Sequence, residues 1–259
     1  MKRYVLFIAL LAAGSLVSSC MEIIKGSGDL VEETRTENVA YTGIIVESGI
    51  IVEFSASLAD DEVVVSGDSN ILPYLETYVR SGSLVIKYKN RTNIKERSNT
   101  VVTLPEIATL RYIRASGASS VTGDHFTESG TIDIKCSGAS VVTMRGNCQN
   151  LNIESSGGSK IKITGNSDNA DIEGSGSSVI EVVGSTNDVD IELSGSSKLI
   201  NYSLTAVDVD CDLSGSSTVE IVCSGTLEVS ASGSSKVYYK GSGTVTKQNL
   251  SGSAGIIKK

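Results

Sequence analysis

The sequence has no tryptophan, three phenylalanines, two prolines, one histidine and five cysteines in 259 residues. Aromatic platforms of the kind that stack sugars or bases are therefore hard to build. A single histidine leaves little room for imidazole-based catalysis or a His-rich metal centre. No CxxC pair and no Cys/His metal spacing occurs, so the usual signatures of redox and zinc chemistry are missing. Basic residues are outnumbered, 22 against 30, giving a formal net charge of −8. Such a surface repels nucleic acid and anionic lipid.

What is plentiful is glycine, and it is regularly placed. Ser-Gly or a close variant returns with glycines at 117, 138, 157, 176, 195, 215, 233 and 252, in steps of 21, 19, 19, 19, 20, 18 and 19. Self-similarity at about 20 residues marks stacked units. Alternating segments precede these glycines, as in Val189-Asp190-Ile191-Glu192-Leu193-Ser194-Gly195, and shorter alternating segments follow them, as in Ser159-Lys160-Ile161-Lys162-Ile163. Alternation of period two describes a strand with one dry and one wet face. Each unit reads as strand, tight Ser-Gly bend, strand, turn.

One such unit has no partner for its apolar face, and stacking supplies it. The expected fold is all-β, a β-solenoid or β-helix of about 20-residue Ser-Gly repeats with an irregular, β-rich N-terminal cap. Ile134, Ile153, Ile172, Ile191, Cys211 and Val229 form one interior column, four residues before their glycines. Val142, Ile161, Ile180, Leu199, Val219 and Val237 form the opposing column, four residues after. At about 4.8 Å per coil, seven steps span roughly 34 Å.

The start of the chain has a different logic. Lys2 and Arg3 precede an apolar run from Tyr4 to Ala13, and small residues lead to Cys20. This is a secretory leader, too short to span as a membrane helix. Val17-Ser18-Ser19-Cys20 resembles a bacterial lipobox, which makes Cys20 the lipidated N-terminus and residues 1–19 the lipoprotein signal peptide. Ordinary signal cleavage near the same place is the alternative. Met21 follows the cysteine where an inner-membrane retention signal would carry Asp, so the expected location is the cell envelope, anchored by lipid to the outer membrane, with the surface or periplasmic side left open. Removing Lys2 and Arg3 takes the net charge from −8 to −10.

The expected division is residues 20–112 as tether and β-rich capping part and 113–259 as the repeat solenoid. Within the first part, Gly43–Val46 and Ile50–Phe54 flank Ser48-Gly49, and Leu84–Tyr88 follows Ser81-Gly82-Ser83. Asn70–Glu76 is the best helical candidate, one or two turns with Asn70 as cap and Pro73 near its start. Asn90–Asn99 reads as a loop, and Thr100–Leu104 as a strand stopped by Pro105.

The segments Lys25–Val31, Glu47–Val52, Asn70–Thr77 and Val102–Ile107, with the Ser-Gly-x-Ser coils, are similar to the family of Bacteroidetes lipoproteins described as putative auto-transporter adhesin, head GIN domain. Ile51 stands where the family's name has Asn. The resemblance implies a β-helical cell-envelope protein, called an adhesin largely by inference. It supplies no catalytic residues.

Two outward rows are rich in carboxylates. Asp133, Asn152, Asp171, Asp190, Asp210 and Glu228 stand five residues before their glycines, and Lys135, Glu154, Glu173, Glu192, Asp212 and Ser230 three before. Calcium (Ca2+) bridging Asp171, Glu173, Asp190, Glu192, Asp210 and Asp212 on successive rungs is one reading, because hard oxygen ligands are abundant. A solvated face that keeps the stack soluble explains the same pattern, and the calcium-roll nonapeptide is absent. No other cofactor is indicated.

Cys136 and Cys211 face inward about four coils apart, so about 19 Å keeps them from pairing. Cys136 with Cys148, or Cys211 with Cys223, remain open as pairs, against four buried thiols. His125 lies in loop-like Gly123–Phe126, and no G-x-S-x-G elbow accompanies it.

The expected function is therefore non-enzymatic: a lipid-anchored adhesin or binding module that touches a glycan or cell-surface protein through a repetitive surface, without nucleic acid. A lyase-like polysaccharide enzyme and a periplasmic protein-interaction module are the alternatives. Edge coils also allow a homo-oligomer.

Overall fold

The computed structural model describes residues 23–95, 97–126 and 130–259. The leader and Cys20 lie outside the described residues. Among those described there is no α-helix, and no helix long and apolar enough to cross a membrane. The chain is a β-solenoid.

Two parallel ladders run the length of the stack. Strands ending at the Ser-Gly bends form the first, for example Cys148–Ser155 on Thr131–Cys136 and Ser167–Gly174 on Cys148–Ser155. Strands leaving the bends form the second, for example Lys160–Thr164 on Val141–Gly146. Both columns of interior residues pair in the expected register, Ile153 with Ile172 and Ile172 with Ile191 on one side, Ile161 with Ile180 and Ile180 with Leu199 on the other. These side chains are fully buried or nearly so. Period-two alternation thus becomes one dry interior shared by all coils.

The bends are held by backbone. The Gly157 carbonyl accepts the N–H of Ser177 at 2.7 Å, and Gly176 accepts that of Ser196 at 2.7 Å. Bend glycines adopt φ near +70°, as at Gly176, and a Cβ there would lie 2.8 Å from the Gly157 oxygen. Left-handed φ and close approach both require glycine.

Two residues beyond seven of the eight repeat glycines stands a serine that the ladders bury completely or almost so: Ser119, Ser140, Ser159, Ser178, Ser197, Ser217 and Ser235. Most of these hydroxyls donate back to the carbonyl three residues earlier, as Ser197 does to Ser194 and Ser217 to Ser214, each at 2.8 Å. A buried hydroxyl needs such a partner.

At the N-terminal end, stacking order departs from chain order. Gly43–Val46 and Ile51–Ser55 stack directly on Tyr112–Ala115 and Ser120–Phe126, with a bend at Ser48-Gly49 in which both residues take positive φ, whereas the bends from Gly138 onward do so at the glycine alone. Beneath them lie Ser83–Tyr88 and Val101–Pro105, also parallel. Antiparallel partners finish this end: Leu75–Arg80 on Ser83–Tyr88, Glu62–Asp68 on Val101–Pro105, and Leu30–Thr36 on Glu62–Asp68. Antiparallel strands can follow short connections, so they close a parallel stack economically in chain length.

Three local expectations are corrected here. The helical candidate is a single 3-10 turn, Leu72–Tyr74, without a side-chain cap. Asn70 instead accepts from the Ser27 N–H and donates to the Lys25 carbonyl, stitching the entering chain to the cap. Asn90–Asn99 contains a short strand, Asn93–Lys95, which exists because Ile23–Lys25 pairs with it across the fold. Gly123–Phe126 belongs to the strand Ser120–Phe126 rather than to a loop. The side chain of His125 lies outside what is described.

Candidate functional site: an acidic groove along the stack

A groove of about 740 Å³ runs along the solenoid where the pre-bend strands meet the bends. One wall carries Glu154, Glu173, Glu192 and Asp212, which follow one another rung by rung. The other carries the bend serines Ser156, Ser175, Ser194 and Ser214. Both walls arise from the repeat itself: the residue three before each glycine points out, and the serine one before it turns the chain. Arg114 and Lys135 close the N-terminal end.

The sequence-derived carboxylates separate into two sets. Glu173, Glu192 and Asp212 line the groove, whereas Asp171, Asp190 and Asp210 form the neighbouring outward row and do not line it. Each row keeps its expected register, Asp171 beside Asp190 beside Asp210.

Cations end the rows without neutralising them. Lys135 pairs with Glu154, and Lys247 reaches Glu228 at 3.2 Å. Between those ends like charges face one another one rung apart. Burial, then Asp171 and the glutamates on either side, raises the Glu173 carboxyl above its ordinary range. Burial and Asp190 do the same to Asp171, and burial and Glu228 to Asp210. Among the described residues no three His, Cys, Asp or Glu side chains come together in a way that could hold a metal ion. The groove is a continuous, hydroxyl-lined strip of negative charge, open to a long partner rather than enclosing a small one.

The four cysteines are buried free thiols. Burial pushes Cys136 and Cys148 up to about 11, and raises Cys211 as well. They serve as interior side chains, Cys211 taking the place of an isoleucine in its column.

A regular β-solenoid with short connections defines a repeat protein. The chain belongs to the family described as "Putative auto-transporter adhesin, head GIN domain", whose sequence model matches residues 40–182 and 168–243. Several solved structures are similar, three of them as follows. A "putative adhesin" from Parabacteroides merdae ATCC 43184 is 17% identical with a TM-score of 0.82, covering 92% of this chain and 99% of its own. A "putative adhesin" from Parabacteroides distasonis ATCC 8503 is 21% identical with a TM-score of 0.82, covering 92% of this chain and 100% of its own. A "putative lipid binding protein" from that same strain is 21% identical with a TM-score of 0.81, at the same coverage. At these identities the likeness is one of fold. Among curated proteins none matches this sequence.

Proposed function

We propose that this chain is a non-enzymatic binding module of the cell envelope, an adhesin held to the membrane through lipidated Cys20. Its acidic groove takes a long partner carrying amine groups. The observation that carries this reading is the groove, in which Glu154, Glu173, Glu192 and Asp212 recur at one-rung spacing. Repeated weak contacts along such a strip reach useful affinity by avidity without a deep pocket. The family's description as adhesin supports a binding role. So do the names of the solved relatives, which speak of adhesion and lipid binding.

The test is an array of basic peptides and amino-bearing, neutral and acidic glycans, probed with the chain from Met21 onward. The expected result is saturable, salt-sensitive binding to amine-bearing members, weakened in the variant Glu173→Gln, Glu192→Gln, Asp212→Asn. Binding that ignores these substitutions would remove the groove from the account. Release of reducing or unsaturated sugar ends would replace adhesion by catalysis.

A further inference from the structure

The stack turns tightly at every Ser-Gly bend, but its first rung does not. Between Ser83–Tyr88 and Val101–Pro105 no tight Ser-Gly bend intervenes, and the described residues 89–95 and 97–100 lie between the two strands. A second pocket, about 300 Å³, opens there between this segment and Glu47-Ser48 at the first tight bend. This is the lower end of the size range of small-molecule sites.

Three cations wall it: Lys89, Arg91 and Arg97. Glu47 is the single carboxylate among the described residues of the lining, and none of the three cations forms an ion pair with a described residue. Among the described residues this positive charge has no ion-pair partner, in a chain of net charge −8.

Each cation is held differently. Arg97 is fixed: its Nη2 donates to the carbonyls of Gly49 at 2.7 Å and Ser48 at 3.1 Å, and its guanidinium lies 5.3 Å from the centre of the Tyr88 ring. Lys89 Nζ donates to the Pro73 carbonyl at 2.8 Å. Arg91 sits at φ +65°, a left-handed conformation that glycine adopts at lower cost. Thr92 closes the turn that keeps it there, its hydroxyl donating to the Lys89 carbonyl at 2.6 Å. Arg91 thus lines the pocket from a strained backbone position.

We propose that the pocket walled by Lys89, Arg91 and Arg97 binds a phosphate group. The Arg91 guanidinium is a fork that matches phosphate oxygens in two-point contact, Lys89 adds a point-like charge, and Arg97, whose Nη groups already donate to the carbonyls of Ser48, Gly49 and Ser98, adds fixed positive charge. The hydroxyl of Ser48, on the facing bend, is a further donor of suitable type. The phosphate is a lipid headgroup or a free phosphate ester. One feature favours the headgroup: Ile94 lines the pocket, and its strand Asn93–Lys95 pairs with Ile23–Lys25. Two residues separate Ile23 from Cys20, which keeps the two within about 10 Å of each other along the chain. That preference rests on the proposed tether, whereas the phosphate site does not.

Calorimetry with inorganic phosphate and glycerol 3-phosphate, at ionic strength held constant with chloride, tests the site. Saturable binding is expected, weakened about tenfold or more in Arg91→Ser. Lys89→Ser should act in the same direction, and Lys198→Ser, an exposed cation elsewhere on the stack, should leave phosphate binding unchanged. Both substitutions are at exposed positions, and unchanged thermal melts verify that the variants fold. Absence of saturable phosphate binding, or binding indifferent to both substitutions, overturns the proposal. Co-sedimentation with vesicles then separates the sources. Retention on phosphatidylglycerol but not phosphatidylcholine, lost in Arg91→Ser, assigns the site to a headgroup. Binding of soluble phosphate without vesicle retention assigns it to a free ester and counts against the tethered orientation alone.

Discussion

A Cβ placed on Gly165 would stand 1.7 Å from the carbonyl oxygen of Gly146, one coil away. The two glycines occupy equivalent corners where the chain leaves the post-bend strand, and Gly184 repeats the contact at 1.9 Å from Gly165. Backbone packs on backbone there, and no side chain can yield. Gly165→Ala should therefore abolish folding or cost upward of about 4 kcal/mol. Gly28 is the control, with φ +75° but nothing within 4 Å of a Cβ. Gly28→Ala should cost only about 1–2 kcal/mol, the penalty of a left-handed alanine. Urea unfolding followed by circular dichroism measures both.

The buried serines give an opposed pair of outcomes. Ser197 donates to Ser194 at 2.8 Å and to Gly174 at 3.1 Å, whereas the Ser178 hydroxyl has no hydrogen-bond partner. One coil earlier Ser155 bonds the equivalent Ser159, but Gly174 now stands at that place and brings no hydroxyl. Ser197→Ala should destabilise by about 1–2 kcal/mol, while Ser178→Ala should be neutral or stabilising. Chemical denaturation of the two variants checks the sign.

Acidification should at first strengthen the stack. Asp171, Glu173 and Asp210 have carboxyls raised by burial and by like charges, so the folded chain binds protons more readily than the unfolded one. Their contribution to stability grows as pH falls from neutral toward the ordinary carboxylate range and is lost again as pH rises. Asp208 opposes this, because hydrogen bonds from Thr226 lower its carboxyl and their benefit fades in acid. Three groups against one predict a higher urea midpoint near pH 5 than at pH 7.5, and a smaller difference at 0.5 M sodium chloride. Calcium should act no more strongly than sodium chloride of equal ionic strength, as diffuse screening requires.

The thiols should be inert until the fold opens. Buried and raised to about 11, Cys136 and Cys148 present little thiolate at neutral pH, and Cys211 still less. Native protein prepared from Met21 onward should react slowly with a thiol reagent, and all four cysteines should react in urea. Rapid labelling of the native chain would contradict their interior placement.

Much of this was legible in the sequence because the repeat is local. Alternation around each Ser-Gly named both interior columns, and counting back from the glycine named the carboxylates that line the groove. The division of those carboxylates into groove and neighbouring row was not legible, because it depends on where the bend serines rise beside them. The serine two beyond each glycine carried a signal, its recurrence in seven coils, yet a short polar residue beside a turn ordinarily reads as exposed. The N-terminal end resisted for another reason. Ser83–Tyr88 lies beneath Gly43–Val46, and Asn93–Lys95 becomes a strand only by meeting Ile23–Lys25. Such long-range pairings leave no periodic trace.

The groove touches five successive bend serines, Ser137 to Ser214, which at about 4.8 Å per coil span about 19 Å. An extended peptide covers that distance with about six residues. The most direct measurement is the affinity of the chain for oligolysines of two to ten residues at constant ionic strength. Affinity should climb with length to about six residues and then level off, and nearly vanish in the variant Glu173→Gln, Glu192→Gln, Asp212→Asn. Affinity independent of length, or unchanged in that variant, would contradict binding along the groove.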